Sequence, residues 1–204
     1  MKKILSYTVF WLLQCTWGFI MTFIGAIVSL VLIIAGHKPK HIGPNVYFEI
    51  GENWGGFEMG PFFLCDKGSG DYTKFHECGH GIQNIILGPL FPFLVTIPSA
   101  TRYWLRTMPT HIKKVIFAIC YLITTIALTT LLAWIMTFTG IKALVIIAEV
   151  LRLYFLLVVI WMELIEIPRY EKNEYVPYDS IWFEGQATKW GTNIYKNCIE
   201  KKED

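Results

Sequence analysis

The chain has 204 residues, of which 54% are hydrophobic and only 17% charged, and its mean hydropathy is +0.44. That is too apolar for an ordinary soluble domain and points to a membrane protein. A net charge of +2, with no phosphate-binding loop and no dinucleotide fingerprint, speaks for no nucleic-acid partner and no nucleotide.

Residues 4–35 carry no charge and would make a helix of about 45 Å, longer than the roughly 30 Å hydrocarbon core, so the run must tilt or protrude. It is about twice the length of a signal-peptide core and reads as a retained anchor, not a cleaved leader. Residues 45–65 alternate apolar and polar with Gly55 and Gly56 in the middle, the pattern of a small β-hairpin. After the turn Gly68-Ser69-Gly70, Asp71 is placed to cap a helix over 72–87, which Gly88-Pro89 then stops. The apolar stretch 82–100 is interrupted by Gly88, Pro89, Pro92 and Pro98 and reads as a broken, buried or interfacial segment. Residues 115–138 and 141–167 are two spans joined by the short Thr139-Gly140 turn, so they form an antiparallel hairpin. A Pro- and Tyr-rich loop follows, and residues 180–196 make a last short helix.

The chemistry concentrates in His76-Glu77-Cys78-Gly79-His80. On a helix this spacing puts two imidazoles one turn apart on one face, where both can ligate one zinc ion, with Glu77 beside them as a general base toward water. Glu184, on the last helix, is the evident third ligand. Cys78 points about 200° away from each histidine and is assigned to packing. The five cysteines, at 15, 65, 78, 120 and 198, show no paired spacing, so no disulfide framework is expected and a reducing compartment fits.

The order H-E-x-G-H and then, much later, Glu184-Gly185-Gln186-Ala187-Thr188 resembles the glutamate-zincin membrane metallopeptidases, in particular the group of the CAAX prenyl endopeptidases and the bacterial heat-shock membrane peptidases. The stretch HECGHGIQNIILGPLFPFLVTIPS, from His76 to Ser99, is also similar to a segment of small uncharacterised bacterial metallopeptidases. The likeness covers about a third of the chain, mainly residues 56–99 and 178–192. Carried over by position, it implies that His76, His80 and Glu184 hold zinc and that Glu77 is the base. Thr188 departs from the Asp often found there, a carboxylate that would orient a zinc-bound histidine. The resemblance also implies an edge strand beside the metal helix that pairs with an extended peptide or protein substrate, and residues 56–64 are the candidate.

If Glu184 is a ligand, an even number of crossings separates it from His80, and the hairpin alone supplies two. The expected fold is therefore a mainly α membrane protein in one domain over residues 1–204. It has three transmembrane helices plus a broken buried segment, and a small β-hairpin beside a zincin-type helix. Basic residues crowd the middle loop and the tail, whereas Lys2, Lys3 and Lys142 lie on the other side. By the positive-inside rule the expected site is on the cytoplasmic side of an integral cell-membrane protein. Tyr72, Tyr175, Tyr178, Arg102 and His111 could each donate to a tetrahedral oxyanion, and Tyr178 is the one chosen. Glu149 and Arg152, inside the third span, are at a spacing that lets them pair and fix how the hairpin packs; an intramembrane charge is otherwise a functional candidate. The expected activity is zinc-dependent peptide hydrolysis. The alternative is a zinc-stabilised membrane adaptor, immunity or regulatory protein without proteolysis.

Overall fold

The computed structural model describes residues 2–107, 111–140, 142–172, 174 and 176–193. It is 75% helical with one small mixed sheet. The strands are β1 (Lys40–Ile42), β2 (Asn45–Glu49), β3 (Gly56–Met59) and β4 (Phe62–Cys65). Among the described residues the α-helices are α1 (Lys2–Thr16), α2 (Phe19–Ile34), α3 (Asp71–Leu87), α4 (Ile97–Thr107), α5 (His111–Thr139), α6 (Lys142–Trp161), α7 (Ile167–Glu171) and α8 (Trp182–Gly191). The chain, read from its sequence as one domain, divides into two compact units. One joins the residues up to Pro92 to those from Tyr178 onward, and the other is Phe93–Pro177.

In the first unit the apolar run 4–35 is not the single 45 Å helix expected from its composition. It breaks at Trp17-Gly18, and the two halves meet at a bend of 99°. The cause is a polar residue inside the run. Gln14 is fully buried, its amide nitrogen donating to Gly81 O at 2.9 Å and its oxygen accepting from Asn84 Nδ2 at 2.6 Å. Asn84 also donates to Gly18 O at 3.1 Å, and a Cβ on Gly18 would run into that amide. Thr22 Oγ1 donates back to Gln14 O at 2.8 Å, which satisfies a carbonyl freed by the bend. α2 alone has 16 residues and is about 24 Å long, short of the roughly 30 Å core.

The expected hairpin over 45–65 is a four-stranded sheet in the order β1-β2-β4-β3. β1 and β2 are antiparallel, β2 and β4 parallel, and β3 and β4 antiparallel. The tight turn falls at Gly60-Pro61, where Gly60 has φ 75°, and not at Gly55-Gly56, because Gly56 opens β3. One sheet face and α3 enclose Tyr47, Phe63, Cys65, Phe75 and Cys78, with Tyr47 and Phe63 stacked at 5.0 Å. Cys78 is fully buried there and accepts from Asn45 Nδ2, in the packing role expected of it. α3 occupies nearly the expected range, although Gly70, not Asp71, is its N-cap and Asp71 sits in the first turn, where a negative charge suits the helix N-terminus.

The 82–100 stretch breaks at its glycine and prolines: α3 ends at Leu87, a 3₁₀ turn covers Gly88–Leu90, and a π turn covers Pro92–Thr96 before α4. In the second unit, Lys114–Thr139 and Lys142–Glu171 are long and apolar enough to cross a membrane, close to the expected 115–138 and 141–167. Leu105, Ala118, Val158, Val159, Met162 and Ile167 form its core. Glu166, 1% exposed, is held by Arg102 Nε at 2.6 and 2.9 Å and by Arg106 Nε at 2.6 Å. The same guanidinium groups reach the carbonyls of Pro177 and Val176. Lys114 pairs with Glu171 at 2.9 Å. Glu149 and Arg152 do pair, at 2.5 Å, but on the exposed side of α6 and not in the packing of the hairpin.

Candidate metal centre

α3 and α8 lie so close that neither has room for side chains at the contact. A Cβ on Gly79 would collide with the main chain of Ala187, and one on Gly191 with that of Phe75. This approach brings His76, His80 and Glu184 together, all three buried, and among the described residues they form the one group of histidine, cysteine and carboxylate atoms suited to a metal ion. His76 Nε2 is 3.0 Å from Glu184 Oε2, His80 Nε2 is 3.2 Å from the same oxygen, and the two nitrogens are 3.1 Å apart. A tetrahedral ion with bonds of about 2.0–2.1 Å has ligand–ligand edges of about 3.3 Å, so this triangle has nearly the size of one tetrahedral face.

The surrounding hydrogen bonds say what the triangle presents. Gln83 Nε2 donates to Phe183 O at 2.8 Å and Gln186 Oε1 at 3.0 Å, which turns Gln83 Oε1 toward His80 Nδ1 at 2.7 Å. Gln83 Oε1 thus accepts from His80 Nδ1–H and holds the ring with Nε2 turned toward Glu184. His76 Nδ1 lies 2.9 Å from Thr188 Oγ1, a hydroxyl able to accept in the same way. Two imidazole nitrogens and a carboxylate oxygen thus converge, and Glu184 Oε1 has no hydrogen-bond partner. A donor set of this kind could hold a metal ion.

The acid–base character follows from the same contacts. Burial would raise the Glu184 carboxyl, but hydrogen bonds from His76 and His80 and their charge hold it well below the usual carboxylate range. Burial pushes His80 down, yet the hydrogen bond and charge of Glu184, with Glu77 and Glu58 nearby, carry it up to about 9. Glu77 is raised by burial, against the pull of the two histidines. Its carboxyl lies over Gly56, where a Cβ would collide with it. β3 is the outer strand on that side of the sheet, whereas β4 is paired on both sides. Of the candidate stretch 56–64, only Gly56–Met59 has an edge without a strand partner, and Glu58 and Met59 are buried, with Met59 O against Gly25 of α2, so Gly56 and Phe57 are its accessible part.

The other candidates divide. Tyr178 stands with its ring 6.3 Å from that of His76, and the Tyr72 hydroxyl is 3.4 Å from Thr188 Oγ1. Arg102 is not an oxyanion donor, because it is committed to Glu166. The side chain of His111, all of Tyr175 and residues 194–196 of the last helix lie outside the described residues. Of the other carboxylates downstream of His80 that compete in sequence for the third ligand position, Glu163, Glu166, Glu171, Glu174 and Asp179, Glu166 and Glu171 are held by cations.

The chain matches no protein-family model, no curated protein and no solved structure. What the site does must be argued from its own residues. Sequence reasoning missed two of them. Gln83 is one, although its place three residues after His80, on the same helix face, was a usable signal. Glu58 is the other: it is buried, raised well above the usual carboxylate range by that burial, bonded to the Gly60 N–H through one oxygen and without a hydrogen-bond partner at the other.

Proposed function

We propose that this chain is a membrane-bound zinc metallopeptidase. The observation that carries the reading is the convergence of His76 Nε2, His80 Nε2 and Glu184 Oε2 within 3.0–3.2 Å of one another, with Glu77 adjacent. A zinc ion held by these three residues supplies Lewis acidity, which acidifies water and polarises a scissile carbonyl. Gln83 and Thr188 fix the two imidazoles in rotation and tautomer. Glu77, whose carboxyl is raised by burial above its ordinary value, takes the proton of the attacking water and returns it to the departing amine nitrogen. An extended peptide pairs with the free edge of β3, which runs past Glu77 at Gly56. Tyr178, whose ring lies 6.3 Å from that of His76, is the residue assigned to donate a hydrogen bond to a developing oxyanion.

Two long apolar helices support membrane attachment. The excess of Lys and Arg in the middle loop and the tail supports a cytoplasmic site. The deciding experiment compares wild type with Glu77→Gln in detergent-purified protein. The variant is expected to keep its zinc and lose peptide hydrolysis by about 10²–10⁴-fold. Equal hydrolysis by both proteins overturns the assignment.

A further inference from the structure

Outside the metal centre, the feature least at ease with its surroundings is the charge pair on α6. Between Lys142 and Glu163 the sequence holds two charged residues, Glu149 and Arg152. Taking Lys142 as one boundary, they lie about 10 and 15 Å along the helix, the middle of a roughly 30 Å hydrocarbon core. Both are exposed, with side-chain accessibilities of 52% and 48%, and they bond to each other at 2.5 Å. Charged side chains at this depth nearly always face the inside of a bundle or a water-filled cavity, because lipid tails offer them no partners. Here they face outward.

The same face carries a pattern. Ile146, Glu149, Leu153, Leu156 and Ile160 recur at alternating spacings of three and four residues, and each is exposed. That is the seam along which two helices pack knobs into holes, and a polar residue at one seam position sets register and the number of helices. Arg152 flanks the seam one turn from Glu149. A neutral pair staggered in this way complements itself: about a two-fold axis along the membrane normal, Glu149 of each copy meets Arg152 of the other.

We infer that this face of α6 is an intramembrane interface with a second copy of the chain, sealed by a ring of two Glu149 and two Arg152 side chains. The inference depends on α6 crossing a bilayer and is independent of any hydrolytic activity. It favours a second copy over an unrelated transmembrane helix because one sequence supplies both halves of the ring. The partnership leaves each carboxylate between two guanidinium groups.

The test uses two differently tagged full-length copies, co-expressed and then reconstituted in phosphatidylcholine vesicles, with association read by resonance energy transfer and by co-purification in mild detergent. Wild type is expected to associate with itself. Glu149→Arg makes every copy doubly positive at the seam and Arg152→Glu makes it doubly negative, so each variant alone is expected to lose self-association. Mixing the two is expected to restore it, which also shows that both variants fold. A wild type that stays monomeric in vesicles overturns the inference and leaves the face to a different membrane helix. So does association that ignores both substitutions, or a mixture that fails to rescue.

Discussion

Two buried glutamates, one in each unit, have opposite surroundings. Glu166 is enclosed by Arg102 and Arg106, so its charge is answered by two permanent cations. Glu184 is enclosed by two imidazoles, groups whose charge comes and goes with a proton, and one of its oxygens has no hydrogen-bond partner. A buried carboxylate answered by permanent cations is a structural clamp, whereas one faced by histidines is a candidate for holding a metal ion. The difference lies in the neighbours, since both side chains are almost wholly buried.

The largest expected effect comes from removing the charge that no permanent cation answers. Glu184→Gln keeps the shape of the side chain, and elemental analysis should show zinc lost from the purified protein, as it should for His76→Ala and His80→Ala. Stoichiometric zinc in all three variants would move the metal elsewhere. Glu166→Gln is expected to do the reverse. It leaves two buried guanidinium groups without their carboxylate, at a cost of about 3–5 kcal/mol in thermal or denaturant unfolding, while the zinc content of the folded protein stays unchanged. A loss of zinc binding in folded Glu166→Gln would erase the contrast between the two sites.

A smaller effect is expected from Gln83→Ala, which frees the His80 ring without touching a ligand and should weaken zinc binding about 10–100-fold. The gentlest probe is pH. In the metal-free protein His80 is raised to about 9, so zinc has to displace a proton below that pH, and apparent affinity should fall about tenfold for each unit of acidification. The sign for stability is opposite. Because the folded pKa lies above the ordinary 6.5, the stabilisation that His80 gives the metal-free protein is full below about 6.5 and is lost as pH rises through about 9. Denaturant titrations at pH 6 and pH 10, with and without zinc, measure both trends.

Much of this arrangement was legible in the sequence where a local pattern dictates it. The α3 helix follows from a turn, an acidic first turn and a Gly-Pro stop, and the α5–α6 hairpin from two apolar runs around Thr139-Gly140. His76, His80 and Glu184 were chosen as ligands, and the structure brings their donor atoms together. What escaped depends on distant polar partners. Gln14 looks innocuous within an apolar run until Asn84 and Gly81 are placed beside it, and the bend after α1 then follows. β1 has three residues, too few for an alternation to register, and the parallel pairing of β2 with β4 leaves no turn to mark it. Thr188, which departs from the Asp of the resembling family, still reaches His76 through its hydroxyl.

His80 and Glu184 are 104 positions apart, and the apolar hairpin α5–α6 is made between them. Because a chain emerges from the ribosome N-terminus first, the two histidines are synthesised well before the carboxylate that completes their triangle. Throughout that interval α3 has no α8 to pack against, and the cluster is one ligand short. Both hairpin helices must emerge before the triangle can close, so a nascent chain carries the two histidines without their carboxylate until the hairpin is complete.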